Sequence, residues 1–120
     1  MIQNKSKYDL EERTSVFAEN VVMLIKNTPK NNVTLPIVDQ LIRAGTSIGA
    51  NYMEANGASS KKDFKNKIFI CKKESKETQY WLRILANAVD QEETKSICRK
   101  LWQEAKELSM IFATIANKTV

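Results

Sequence analysis

Residues that commonly carry out catalysis are scarce in this chain of 120 residues. It contains no histidine, which excludes Ser–His, Cys–His and histidine-based acid–base mechanisms. Its two cysteines, Cys71 and Cys98, are too few for a disulfide framework or for a zinc site without histidine. Glu-x-x-His motifs, which complete di-iron sites in helical bundles, are also absent. We therefore predict a protein that is not an enzyme and that has neither a cofactor nor a metal site.

The cations are concentrated in the second half of the chain. Residues 1–60 hold six lysines and arginines and six acidic residues, so the whole net charge of +5 lies in residues 61–120. Cations and aromatic residues alternate at helical spacing along one strip, which we call the basic strip: Lys62, Lys65, Phe69, Lys73, Lys76, Tyr80 and Arg83.

Two interpretations of the basic strip stay open. Cations bind phosphates and aromatic rings stack on exposed bases, so the five cations of the strip are candidate contacts to RNA or DNA. The same pattern also describes a solvated lysine face with Phe69 and Tyr80 packed at its edge. Lysine is weaker evidence than arginine here, because it lacks the bidentate fork of the guanidinium group.

A second polar group consists of Arg43, Glu74 and Glu77. The two glutamates flank the apolar stripe of the third predicted helix, so we expect them to be only partly exposed. A partly buried carboxylate requires a cationic or hydroxyl partner, and Arg43 is the candidate. The three residues are predicted to form a structural cluster that fixes helix register, with a small-ligand site as the weaker alternative.

Four segments have the capping residues and spacing of helices. Asp9 and Ser60 are predicted N-caps, each followed three residues later by an acidic residue. Thr34 is the predicted N-cap of the second helix, which has Pro36 in its first turn. Asp90 is the predicted N-cap of the fourth helix. The predicted core residues recur every three or four positions: Leu10, Phe17, Val21 and Leu24; Val38, Leu41, Gly45, Ile48, Tyr52 and Ala55; Phe64, Ile68, Cys71, Ser75, Thr78, Leu82, Leu85 and Val89; Ile97, Leu101, Ala105, Leu108, Phe112 and Ile115.

The third stripe repeats every seven residues, which is typical of helices that cross at about 20° in a bundle. Four amphipathic helices with short connections predict an all-α fold, an antiparallel up-down-up-down four-helix bundle. Gly45 and Gly49 lie one turn apart on the second helix, where they allow another backbone to approach closely. Contact within the subunit and contact between subunits both explain this pair.

We predict one domain over residues 1–120, with a short disordered tail at about residues 1–8. No apolar run approaches the roughly 20 residues that span a bilayer, and the first seven residues lack the apolar segment of a secretory signal. The cytoplasm is the expected compartment. The large aromatic residues Trp81, Trp102, Tyr52 and Tyr80 are many for a thin bundle, so a homo-oligomer is also expected.

Three stretches of the sequence resemble a known family: residues 9–18, residues 40–55 (QLIRAGTSIGANYMEA) and residues 60–82. They are similar to the bacterial four-helix bundle proteins encoded in intervening sequences of 23S rRNA genes, also labelled S23-type ribosomal proteins. The resemblance covers nearly the whole chain and weakens in the N-terminal tail and the fourth helix.

This resemblance implies a bundle without enzymatic activity that assembles as a ring-like homopentamer. A related group, the accessory variability determinant of diversity-generating retroelements, is similarly basic and implies nucleic-acid binding. We therefore expect RNA or DNA contacts from Lys62, Lys65, Lys73, Lys76 and Arg83. The alternative is a scaffold that recruits a partner protein and binds no nucleic acid.

Overall fold

The computed structural model describes residues 9–119, and this range forms four α-helices. They are α1 (Leu10–Lys26), α2 (Thr34–Asn56), α3 (Lys61–Ala88) and α4 (Glu92–Lys118). Successive helices pack side by side, and α1 also contacts α4. Because the connections are short, neighbouring helices are antiparallel, which confirms the predicted up-down-up-down four-helix bundle. The predicted disordered tail at residues 1–8 lies outside the described residues.

The longest helix, α3, packs against both α2 and α4. Of its predicted stripe only Phe64 is half-exposed; the other seven residues, which we call the α3 seam, are buried: Ile68, Cys71, Ser75, Thr78, Leu82, Leu85 and Val89. The two hydroxyl groups of the seam are satisfied locally, because Ser75 donates to the carbonyl of Cys71 and Thr78 to that of Glu74. The seam therefore contains small polar residues without an unpaired buried polar group.

Both cysteines are buried as free thiols. The Sγ of Cys71 donates a weak hydrogen bond to the carbonyl oxygen of Ile48, 3.5 Å away on α2. Burial raises the pKa of Cys71 to about 12 and that of Cys98 to about 11. Both residues therefore act as small core side chains, as the sequence predicts.

The glycine pair of α2 faces α1. A Cβ atom at Gly45 would lie 3.1 Å from Cγ2 of Val21, and one at Gly49 would lie 3.1 Å from Oγ1 of Thr14. These distances are shorter than ordinary van der Waals contact. The pair therefore serves helix packing inside the subunit, which decides between the two explanations that the sequence allows.

An ion pair that the sequence analysis did not predict joins α1 to α4. Arg13 donates from Nε and Nη2 to the two carboxylate oxygens of Glu104, at 2.7 and 2.9 Å, and from Nη2 to Glu107 at 2.9 Å. The side chains of Arg13 and Glu104 are only 27% and 31% exposed, so solvent screens this pair incompletely. The hydrogen bond to Glu104 raises the pKa of Arg13. The α1 helix has far fewer contacts with α4 than with α2, and this ion pair is one of the connections between α1 and α4.

Two of the four predicted helix caps are confirmed. The side chain of Asp9 accepts from the amide of Glu12 at 3.2 Å, and Ser60 accepts from the amide of Asp63 at 3.0 Å. Thr34 was predicted to cap α2, but it is the first helical residue and its hydroxyl donates to the carbonyl of Pro29.

The side chain of Asn31 caps α2 instead. Its Oδ1 accepts from the amides of Val33 and Thr34 at 2.8 and 2.9 Å. Pro36 lies in the first turn as predicted. The prediction for Asp90 was wrong, because α4 begins at Glu92 after Gln91, which makes no side-chain capping bond.

The predicted stripe of α4 is correct in its middle and wrong at its ends. Leu101, Ala105, Leu108 and Phe112 are buried. Ile97 is exposed and its neighbour Cys98 is buried instead, while Ala116 is buried in place of the half-exposed Ile115. One residue corresponds to about 100° of rotation, so the packed face lies one position later at both ends.

We expect Gly45→Leu to destabilise the fold by about 2 kcal/mol, because overpacking against Val21 outweighs the gain in helix propensity. Urea denaturation measures the change. Gly57→Ala is the control, since the nearest atom to its Cβ would be 3.8 Å away and its φ of −98° suits alanine. A Gly45→Leu variant as stable as Gly57→Ala would contradict the close α1–α2 contact.

Arg13→Met keeps the aliphatic stem but removes three charge-assisted hydrogen bonds, and should cost about 1–2 kcal/mol. The matched control is Arg99→Met, whose pair with Glu92 is well exposed and contributes little. Thermal unfolding of both variants at low and high salt tests this. Equal effects of the two substitutions would show that the Arg13 pair does not hold α1 against α4.

Candidate nucleic-acid interface

The structure places the whole basic strip on one side of α3, away from the α3 seam. Lys62, Lys73, Lys76 and Arg83 are exposed, and Lys65 is half-exposed. Each lies at a position that the seven-residue packing pattern leaves outside the core. From Lys62 to Arg83 the strip extends about 32 Å along the helix.

The two aromatic residues of the basic strip are accessible. Phe69 is 47% exposed and Tyr80 is 56% exposed. The Nζ of Lys65 lies 6.0 Å from the ring centroid of Phe69, within range of a cation–π interaction. The ring of Tyr80 packs edge-on to that of Trp81, with centroids 4.9 Å apart. Each ring makes one of these contacts and still presents surface on which a base can stack.

The cations of the strip are largely free of acidic partners. Among residues 9–119, only Lys73 of the five lies within 4.0 Å of a carboxylate, at that distance from Glu74. Lys67, outside the strip, is instead paired with Glu54 at 2.7 Å. The positive charge of the strip is thus available to an external anion.

The predicted cluster of Arg43, Glu74 and Glu77 is not assembled. Arg43 is exposed and forms no ion pair with either glutamate. It lies two residues from the buried Leu41, so about 200° of rotation directs it away from the core. The expected pairing was wrong for this reason.

The two glutamates differ in their surroundings. Glu77 is exposed, contrary to expectation, and accepts a hydrogen bond from Nε1 of Trp81 at 3.3 Å. The side chain of Glu74 is 18% exposed, as expected. Burial raises the pKa of Glu74, the charge of Glu77 adds to the shift, and Lys73 opposes it.

A groove at the end of the basic strip was missed by the sequence analysis. It lies between the last turns of α3 and the first turns of α4, and Arg83 of the strip lines it together with Lys95, Arg99 and Trp102. The last three residues are spaced four and three apart, so they share one face of α4. That spacing is a signal in the sequence, but it marks a groove only once α3 is packed beside it.

Residues 9–119 contain neither a candidate metal centre nor a candidate membrane span. Within residues 9–119, no group of three or more His, Cys, Asp or Glu residues is arranged to hold a metal ion. Over the same range, none of the helices combines the length and apolarity required to cross a membrane.

The fold and the basic strip together place this chain among small basic all-α proteins. It is a bundle of four antiparallel helices, and most cations of the strip on its longest helix have no acidic partner among residues 9–119. The family model of 23S rRNA-intervening sequence proteins matches residues 6–114, and the chain belongs to this family. It is also similar to a solved structure from Bacteroides thetaiotaomicron, described as a protein with unknown function from the S23 ribosomal protein family. The two are 33% identical with a TM-score of 0.71, over 88% of this chain and 96% of that one. The comparison with curated proteins gave no match.

We expect Glu74→Gln to stabilise the protein at pH 7 and to lose this effect in acid. The raised pKa means that the folded state favours protonated Glu74, so the glutamate contributes less stability as pH rises through its folded pKa. Below the ordinary glutamate pKa of 4.5, Glu74 is protonated and as neutral as the glutamine of the variant. The difference in stability between the wild type and Glu74→Gln should therefore vanish there. Urea denaturation between pH 4 and 7 measures it.

The exposed Glu19 provides the control variant Glu19→Gln. A stability difference between Glu74→Gln and the wild type that stays constant across this pH range would contradict the assigned cause.

Proposed function

We propose that this chain is a non-enzymatic nucleic-acid-binding protein that contacts phosphates through the basic strip of α3. The observation that carries the proposal is the combination of five accessible cations with two accessible aromatic rings on one helix face. Lysines that only increase solubility require no such interleaving with half-exposed rings. Binding to phosphates and bases uses both kinds of side chain.

The dimensions of the strip support a multi-contact ligand. Its length of about 32 Å corresponds to about nine phosphates of one strand in B-form DNA at 3.4 Å per step. Five phosphate contacts would give a slope of about −4.5 for log affinity against log salt on duplex DNA, and about −3.5 on single strands. The family name refers to an intervening sequence of 23S rRNA, which makes RNA the first ligand to test.

We further propose that the protein acts as a homo-oligomer, with a pentamer preferred. Three exposed apolar side chains of α2, Leu35, Ile42 and Met53, share one face of the helix and support self-association. Repetition of the basic strip around a ring would raise the effective concentration of phosphate-binding sites without any new contact within a subunit.

A protein-interaction scaffold is the alternative, and the same exposed apolar residues favour it. In that case a partner protein would cover them, and the lysines of α3 would only be solvated. The two functions differ in their response to salt. Phosphate binding weakens steeply as salt rises, whereas an apolar interface changes little.

We expect Lys73→Glu/Lys76→Glu to reduce binding to a labelled RNA at least about 100-fold, because four units of charge change at the centre of the strip. Fluorescence anisotropy across a salt series measures affinity and slope. Both side chains are exposed, so far-ultraviolet circular dichroism should show unchanged helicity.

The control is Lys26→Glu/Lys118→Glu, which changes the net charge equally at exposed positions outside α3. If this control lost as much affinity, RNA binding would depend on the net charge of the protein and not on the position of the basic strip. Unchanged affinity in the Lys73 and Lys76 variant would overturn the proposed interface.

A further inference from the structure

The groove between α3 and α4 has the size of a ligand site. Its volume is about 860 Å³, within the range of roughly 300–1,000 Å³ typical of small-molecule pockets. Nine residues line it: Leu82, Arg83, Ile84, Ala86, Asn87, Lys95, Cys98, Arg99 and Trp102. Apolar and cationic side chains are mixed along it, and none of the nine is acidic.

The three cations of the groove are held differently. Lys95 donates to the carbonyl oxygen of Ala86 at 2.8 Å, which places its charge at the end of α3. Arg99 donates to Glu92 at 3.0 Å across a well-exposed pair that an incoming anion can replace. Arg83 has no carboxylate within 4.0 Å in the part of the chain described. Arg83 and Arg99 are therefore the cations available to a phosphate.

Trp102 supplies the apolar surface of the groove. It is half-buried against the core, and the Nζ of Lys106 lies 5.7 Å from its ring centroid on α4. Trp102 also lines the groove, so the part of its ring that Lys106 leaves uncovered offers a surface on which a planar aromatic ligand can stack. Beside two available arginines, the ligand chemistry that matches is an aromatic base attached to phosphates.

We infer that the groove binds an unpaired nucleotide of a single-stranded nucleic acid, with the base against Trp102 and adjacent phosphates on Arg83 and Arg99. This inference rests on the proposed function, because Arg83 belongs to both the basic strip and the groove. A strand that follows the strip reaches the groove without crossing another surface. A fully paired duplex keeps its bases stacked inside, so it can use the strip but not the groove.

Binding of a single-stranded oligouridylate and of a duplex RNA of equal length by the full chain tests this inference. Trp102→Leu should weaken single-strand binding about 5- to 160-fold, the range expected for the loss of one stacked base, and duplex binding less than about two-fold. Trp102→Phe should restore most of the single-strand affinity, because it keeps a ring.

Arg99→Gln provides a second variant in case Trp102→Leu disturbs folding. It should weaken single-strand binding more than Lys118→Gln, which removes the same charge about 28 Å away at the other end of α4. Polyglutamate serves as a competitor without bases. Equal competition by polyglutamate and oligouridylate would overturn the inference, because the groove would then accept an acidic peptide.

The outcomes separate the two proposals. No binding of either RNA by the wild type, even at low salt, would overturn the proposed function together with the groove. Binding that is lost in Lys73→Glu/Lys76→Glu but unchanged in Trp102→Leu and Arg99→Gln would overturn the groove alone. Loss of single-strand affinity in both groove variants, with duplex binding retained, is the expected result.

Discussion

The packing of α3 against two neighbours is the constraint on which the rest of the structure depends. Its seam is buried against α2 and α4, so the rotation of α3 about its own axis is fixed. Lys73 lies between the buried residues Cys71 and Ser75 and must point away from both. The same holds for the other cations, which cannot rotate inward without exposing the seam. The basic surface therefore follows from the register of the core, and not from separate interactions that hold each lysine.

The bundle divides into two halves with different physical character. The α1–α2 contact is close, since Gly45 and Gly49 bring the helices together, and Arg13 links α1 to Glu104 of α4. The α3–α4 half carries the strip, the groove and the excess positive charge. The first half therefore combines close helix packing and a buried apolar core with a partly buried ion pair to α4. In the second half, four of the five cations of the basic strip have no carboxylate within 4.0 Å among residues 9–119. Leaving them unpaired costs little at an exposed surface and keeps them available.

Local sequence patterns predicted most of the fold and less of the site. The α3 seam and the caps at Asp9 and Ser60 depend on residues within one or two turns, so spacing alone identified them. Adjacent apolar residues such as Ile97 and Cys98 suit a core equally well, and only packing against α3 selects between them. The groove depends on how two helices lie side by side, and the expected Arg43–Glu74 pair depends on their relative rotation. The spacing of apolar residues along one helix determines neither the placement of two helices side by side nor the rotation of one helix relative to another.

The two buried thiols, Cys71 and Cys98, can be used to measure opening of the bundle. At neutral pH almost none of either cysteine is thiolate, since burial raises the pKa to about 12 and about 11. Both side chains are also almost fully buried, so a thiol reagent reaches them only when the surrounding helices part, and its reaction rate depends on how often that happens. Cys71 contacts α2 across the middle of the bundle, whereas Cys98 is one of the residues that line the groove. The two thiols lie in different parts of the fold, so the unmodified chain carries one reporter of opening at the α2–α3 contact and another at the α3–α4 groove.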